Sequence, residues 1–309
     1  MKTRWAIRRR RGALRWASVL LSAGNLQFGY SVARSRSGER DRASRLDSAH
    51  RERVIDDVSL DVADGDIVGI LGPNGSGKTT LLRLLSGALR PQAGQVRLAG
   101  ADLSTTPARI MARQIAVVPQ ETSLAFDYSA LEIVLMGRYP HLGAFEIEGP
   151  DDLAAAMRAL QATGTGTLAD RAFRTLSGGE KQRVVIASAL AQLDSGSEGT
   201  ATSPAAASGG TPRLLLLDEP TASLDLRYQF EIGAVLRRLH EASGLTILLS
   251  THDLRFAAAL CTRIILLANG RILAQGRPSE VLTPDLVGRL FDVPGELAAP
   301  ILASATMAR

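Results

Sequence analysis

Three groups of residues in this chain have the types and spacing to work on phosphate. The first is Gly72-Pro73-Asn74-Gly75-Ser76-Gly77-Lys78-Thr79-Thr80, set between an apolar strand-like run at 66–71 and a helical run that begins near Lys78. Glycines here let backbone N–H groups turn inward around a phosphate without Cβ clashes, and the helix start adds unpaired donors and a positive dipole end. Lys78 can then reach β- and γ-phosphates, while Thr79 offers its hydroxyl to Mg²⁺. The second group is Asp218-Glu219, delivered by the continuously apolar run 214–217. Such a run reads as a strand buried on both faces, and the C-terminal ends of these strands are where α/β sheets bind ligands. Asp218 is placed to hold Mg²⁺, directly or through water, and Glu219 to orient and polarise an attacking water. The third is His252, which follows the apolar run 245–249 and so emerges at the same sheet edge. A lone histidine after a strand is more often structural than functional, so its reading depends on the other two groups.

These groups need an α/β scaffold, and strand-like and helix-like runs do alternate as a largely parallel sheet requires. A first strand is expected at 20–28, a second at 54–60 after the Arg- and Ser-rich excursion 31–53, and a helix at 78–89 that ends before Pro91. The alternating Gln95-Val96-Arg97-Leu98 predicts a further strand. From 122 to about 174 the pattern turns helical, clearest at 131–136 and 151–161, which marks an inserted helical subdomain. The stretch 194–211 is rich in Ser, Gly, Ala and Thr, has no apolar periodicity and reads as a loop. Asn269-Gly270 between two apolar runs predicts a type I′ hairpin.

Composition narrows the setting. Of 309 residues 45% are apolar, ample for a buried core, and no uninterrupted apolar stretch approaches the ~18–20 residues of a bilayer-spanning helix. Any membrane passage would belong to another chain. The net charge of +5 is local: residues 1–53 carry 14 Lys/Arg against 4 Asp/Glu. This basic arm lacks both the cleavage site of a signal peptide and the aromatic interleaving of a nucleic-acid binder, and reads as a solvated tail. The single cysteine, Cys261, excludes an internal disulfide and is expected to pack as a small hydrophobe.

With Gln120 after the run 115–118, Leu176-Ser177-Gly178-Gly179-Glu180, and Thr251-His252-Asp253, the three groups appear in the order that resembles the nucleotide-binding subunit of ABC transporters, from about 25 to about 293. The resemblance implies an α/β fold with a P-loop NTPase core of ABC type, an inserted helical subdomain (about 122–185) and an antiparallel β portion. It divides the chain into a basic extension (1–18), the nucleotide-binding domain (19–293, with the insert 194–211) and a C-terminal tail (294–309). It implies ATP and Mg²⁺ as cofactors. Glu219, His252 and Gln120 then take catalytic parts, His252 touching the γ-phosphate and Gln120 sensing it and Mg²⁺. Thr79, Gln120 and Asp218 are the metal-facing set. Ser177, Gly178, Gly179 and Glu180 would cap the ATP of a second copy, with Asp225 in the loop that crosses that interface. Tyr30 resembles the aromatic that stacks on adenine, although the excursion 31–53 separates it from Gly72 by more residues than the family pattern has.

The segment 126–140, including Met136-Gly137-Arg138-Tyr139-Pro140-His141, resembles importers of large metal chelates: ferric siderophores, haem and cobalamin. Zinc and manganese importers share part of this element, and an exporter or a non-transport ATPase stays open, although no coiled-coil insertion is present. The implied partners are a second copy, an integral-membrane permease and, indirectly, a substrate-binding protein, with no nucleic acid. The implied location is peripheral, on the cytoplasmic face of the inner (cell) membrane.

Overall fold

The computed structural model describes residues 18–30, 53–122, 126–196, 212–222 and 224–306. Residues 1–17, the excursion 31–52 and most of the insert 194–211 lie outside these residues. Strands β1 (Val19–Gly29), β2 (Arg53–Ala63), β4 (Ala93–Leu98) and β5 (Ala101–Asp102) form an antiparallel sheet in the order β2-β1-β4-β5. The other sheet has the order β10-β9-β3-β8-β7-β6, from β3 (Ile67–Leu71), β6 (Ile115–Val118), β7 (Leu214–Leu217), β8 (Thr246–Thr251), β9 (Arg263–Ala268) and β10 (Arg271–Gly276). All its pairs are parallel except β9 with β10.

The continuous apolar runs have a simple cause. Successive side chains leave a strand on opposite faces, and in this sheet both faces are covered. Val68, Ile70, Leu214, Leu216, Leu248, Ile265 and Leu267 enter one core, shared with α1 (Lys78–Leu85) and the antiparallel sheet. Their neighbours Ile67, Leu71, Leu215, Leu217, Ile247, Leu249, Ile264 and Leu266 enter a second core. That core is shared with α5 (Gly178–Leu193), α6 (Leu226–Ser243) and α7 (Leu254–Leu260). Each fully buried leucine contributes about 2 kcal/mol of transfer free energy, so the strands feeding the site are anchored from both sides.

Helix α1 stops at Leu85, one turn short of the expected Leu89. Gly87 takes φ 75° and Leu89 N–H donates to Arg83 O, closing the helix, while a Cβ at Gly87 would lie 2.7 Å from Met111 Sδ. That methionine sits on the short helix α2 (Ala108–Ala112). The helical insert contains α3 (Ala130–Met136) and α4 (Pro150–Ala162), with loops and single 3₁₀ turns between and after them rather than continuous helix. Its expected boundary at 185 falls inside α5, because one unbroken helix packs on α3 and α4 and also on β6.

In the element 136–141, Arg138 is buried, its guanidinium binding Asp152 Oδ1 at 2.9 Å and Ala191 O at 2.7 Å. It thus joins the start of α4 to the end of α5. Asn269 and Gly270, at φ 49° and 72°, make the expected type I′ turn between β9 and β10. Beyond it follow α8 (Pro278–Val281), α9 (Pro284–Phe291) and α10 (Gly295–Thr306), so residues set apart as a tail form a helix packed on α7 and α9. Cys261 is buried where a Cβ on Gly69 would approach its Sγ to 2.8 Å, and burial pushes its thiol up to about 12. It packs as the small hydrophobe expected. Among the described residues no helix is long and apolar enough to cross a membrane.

Candidate nucleotide site

The ends of β3, β7 and β8 open on one cavity of about 530 Å³, lined by Asn74, Gly75, Gly77, Lys78, Thr79, Thr80, Gln120, Glu219 and His252, with Val54 and Ala222 completing the wall. Residues drawn from five separate stretches of sequence therefore face a single space. The loop between β3 and α1 can take its shape only with glycine at particular places. A Cβ on Gly72 would lie 2.2 Å from Leu267 O, and Gly77 adopts φ 101° as the N-cap of α1. No side chain caps that helix and no acidic residue occupies its first turn, which leaves its donors and positive dipole end to whatever enters the cavity.

Lys78 is 5% exposed, and its ammonium donates to Gly72 O at 2.8 Å and Pro73 O at 3.1 Å while lying 3.2 Å from Glu219 Oε1. The other Glu219 oxygen, Oε2, is 3.1 Å from His252 Nδ1. Glu219 is held between two nitrogen groups, with its own backbone in the left-handed region at φ 46°. For a residue other than glycine that conformation costs about 1–3 kcal/mol and persists only where the surroundings fix it. Ser76 Oγ, in the same loop, is buried without a hydrogen-bond partner among the described residues.

Asp218 is buried behind the cavity rather than on its wall, and its Oδ1 accepts a 2.6 Å hydrogen bond from Ser250 Oγ. Among the described residues no cluster of three or more His, Cys, Asp or Glu forms a self-contained metal cage. The expected metal-facing groups, Thr79, Gln120 and Asp218, are all oxygen donors with a single carboxylate. Such a set fits Mg²⁺, which binds through one or two carboxylates plus substrate phosphates. When bound, the ion would neutralise phosphate charge. Thr79 and Gln120 would hold it from the cavity wall and Asp218 from the end of β7.

Tyr30 follows β1 directly, with its hydroxyl 3.4 Å from Thr80 Oγ1 and its ring edge-on to Phe28 at a centroid distance of 5.0 Å. It is brought to the start of α1 but does not line the cavity. Ser177, Gly178, Gly179 and Glu180 also lie apart from it. Ser177 caps α5, accepting from Glu180 N–H, and the Glu180 carboxylate accepts in return from Ser177 N–H at 2.8 Å. Those bonds, from the Ser177 amide first and then its hydroxyl, hold the Glu180 carboxyl below its ordinary range. A Cβ on Gly179 would lie 2.1 Å from Tyr228 Cδ1, so α6 packs directly on this glycine. Asp225 is the exposed N-cap of α6 and makes no side-chain cap. Ser223 beside it lies outside the described residues.

Val54 and Ser250 are absent from the sequence-based set. Ser250 is one of three polar residues in β8, a weak signal that gains weight only from the register placing it level with Asp218. Val54 carries no such signal.

A family model described as ABC transporter matches residues 55–194, and an AAA-domain model matches residues 143–258. The chain is 44% identical over 241 residues to a hemin import ATP-binding protein of Myxococcus xanthus, a match covering 78% of this chain and 85% of that protein. It is 41% identical over 241 residues to a cobalamin import ATP-binding protein of Halobacterium salinarum, covering 78% of this chain but 55% of that protein, so it spans about half the length of that relative. Among solved structures, a chain of a transporter assigned to the metal-chelate ABC type, in an inward-facing conformation, superposes with a TM-score of 0.69. There the identity is 31% and the match covers 90% of each chain.

Proposed function

The chain belongs to the ATP-binding subunits of ABC transporters, and from that premise we propose that it hydrolyses ATP to drive import of a metal chelate such as haem, cobalamin or a ferric siderophore. One observation carries the reading: Lys78, Gln120, Glu219 and His252 converge on a single cavity at the mouth of a phosphate loop. Lys78 binds the β- and γ-phosphates. Glu219, oriented by His252 on one side and Lys78 on the other, positions and polarises the attacking water, and Gln120 reports the phosphate to the helical insert. Tyr30 stacks on the adenine. The Ser177-to-Glu180 turn does not line the chain's own cavity, which supports a dimer in which it covers the ATP of a second copy. The pair sits on an integral-membrane permease at the cytoplasmic face, supplied by a substrate-binding protein. The names of the relatives and the element 126–141 support the cargo class.

The test is Glu219→Gln. It should keep nucleotide binding and lose turnover by roughly 10²–10⁴-fold, the usual worth of a positioned general base. Near-normal turnover of this variant with its permease would remove Glu219 from the role. For cargo, uptake of labelled chelates, Zn²⁺ and Mn²⁺ is compared in cells with and without the gene. Lost Zn²⁺ or Mn²⁺ uptake with chelate uptake intact would overturn the cargo class and leave the ATPase reading standing.

A further inference from the structure

We infer that Ser250 is a positioning residue for ATP hydrolysis, its hydroxyl setting both carboxylates of the Asp218-Glu219 pair; the inference rests on the reading of Glu219 given above. Ser250 is completely buried near the end of β8. The register pairs Leu217 with Leu249, which puts Ser250 level with Asp218 just past the last paired residue of β7. Two contacts define its state. Glu219 N–H lies 2.9 Å from Ser250 Oγ, and Asp218 Oδ1 lies 2.6 Å from the same oxygen. An amide can only donate, so the hydroxyl accepts from Glu219, and its one proton must go to the Asp218 carboxylate.

The backbone explains why such a clamp is needed. Asp218 N–H still donates to Val118 O, extending the pairing with β6. One residue later the chain swings into φ 46°, and the Glu219 N–H is bound by the β8 side chain instead. Ser250 therefore replaces the missing ladder bond at the residue whose strained backbone aims its carboxylate at Lys78 and His252. The same hydroxyl fixes one oxygen of Asp218, which leaves Oδ2 as the oxygen to face a cation. Without the hydroxyl, a half-buried amide loses its acceptor and the left-handed turn loses its tie.

The experiment compares Ser250→Ala, Ser250→Thr and Ser250→Cys with wild type and Glu219→Gln. Steady-state ATPase is measured together with Mg²⁺ titrations of the melting temperature in the presence of AMP-PNP. Ser250→Ala should lower kcat by roughly 10- to 100-fold, the effect of orphaning one buried group, with KM for ATP little changed. The melting-temperature rise from AMP-PNP alone should persist, and the further rise from Mg²⁺ should need several-fold more cation. Ser250→Thr, which keeps the hydroxyl, should recover most of kcat. Ser250→Cys keeps the shape with a weak donor, so it should fall with the alanine variant and serves if that variant fails to fold. An unchanged kcat and Mg²⁺ response in Ser250→Ala or Ser250→Cys would overturn the inference. So would equal losses in the Thr and Cys variants, because packing rather than hydrogen bonding would then be at stake. A wild-type protein without ATPase activity, or a Glu219→Gln variant at full rate, would instead remove the underlying reading.

Discussion

At the start of α1 the N-cap is Gly77 in left-handed backbone, with no side-chain cap and no acidic residue in the first turn. At the start of α5 the N-cap is Ser177, its hydroxyl takes the third amide, and Glu180 returns a carboxylate to the cap itself. Both sequences are glycine-rich and both suit phosphate, yet one helix end leaves its donors open while the other has satisfied part of its own. A helix that has capped itself with a carboxylate is a poor anion site alone, since the negative group already sits on its dipole. On the function proposed above, the amides of Gly178 and Gly179 assist at a phosphate held elsewhere, whereas the α1 end recruits one unaided.

The sharpest way to break this contrast is Lys78→Ala. It removes the buried ammonium that lies within reach of the loop carbonyls and Glu219. Charge-assisted bonds to phosphate are worth about 1.5–3 kcal/mol each, so nucleotide affinity measured by fluorescence titration should fall about 100-fold. Affinity within threefold of wild type would mean that the open end is not the binding end. Next in size is Gly179→Ala, whose methyl would press on the Tyr228 ring. Overpacking of this kind costs about 1–3 kcal/mol, read as a lower melting temperature with monomer nucleotide affinity unchanged.

Smaller still is Ser177→Ala, at about 1 kcal/mol for a lost cap. Its partner Glu180 has a folded pKa below its unfolded one, so its stabilisation is complete above the ordinary glutamate range and disappears as pH falls through the folded value. The melting-temperature gap between wild type and Glu180→Gln should accordingly close on acidification, and a gap that widened would contradict the cap. The least effect is expected from Tyr30→Ala, about 1 kcal/mol of stacking, seen as a few-fold rise in KM for ATP.

Much of this was legible before any coordinates. Strands 115–118 and 214–217 match residue for residue, because each is an unbroken apolar run that stops at a polar residue or a proline on either side. The phosphate loop was legible because glycine spacing and a following lysine have few other uses. Arg138 was not, since a single arginine just past an apolar helical run gives no sign that its charge will be spent inside the fold on Asp152 and the end of α5. Nor was the helix at 295–306, whose alanine-rich composition lacks a distinct polar face. Ser250 escaped because its importance lies in what stands beside it on another strand, and a single sequence does not display register.

The type I′ turn at Asn269-Gly270 touches the phosphate loop directly: Gly270 N–H donates to Ser76 O at 3.1 Å, and Asp56 N–H donates to Gly270 O at 2.9 Å. Leu267 O fills the space that a side chain on Gly72 would need. The loop is thus braced by residues almost two hundred positions further along the chain. Because domains are made from the N-terminus onward, a ribosome-bound chain would have finished the loop's sequence long before it had made the brace. ATP should therefore first be held firmly only after residue 270 has left the exit tunnel, which turns nucleotide binding into a marker for the emergence of the β9–β10 turn.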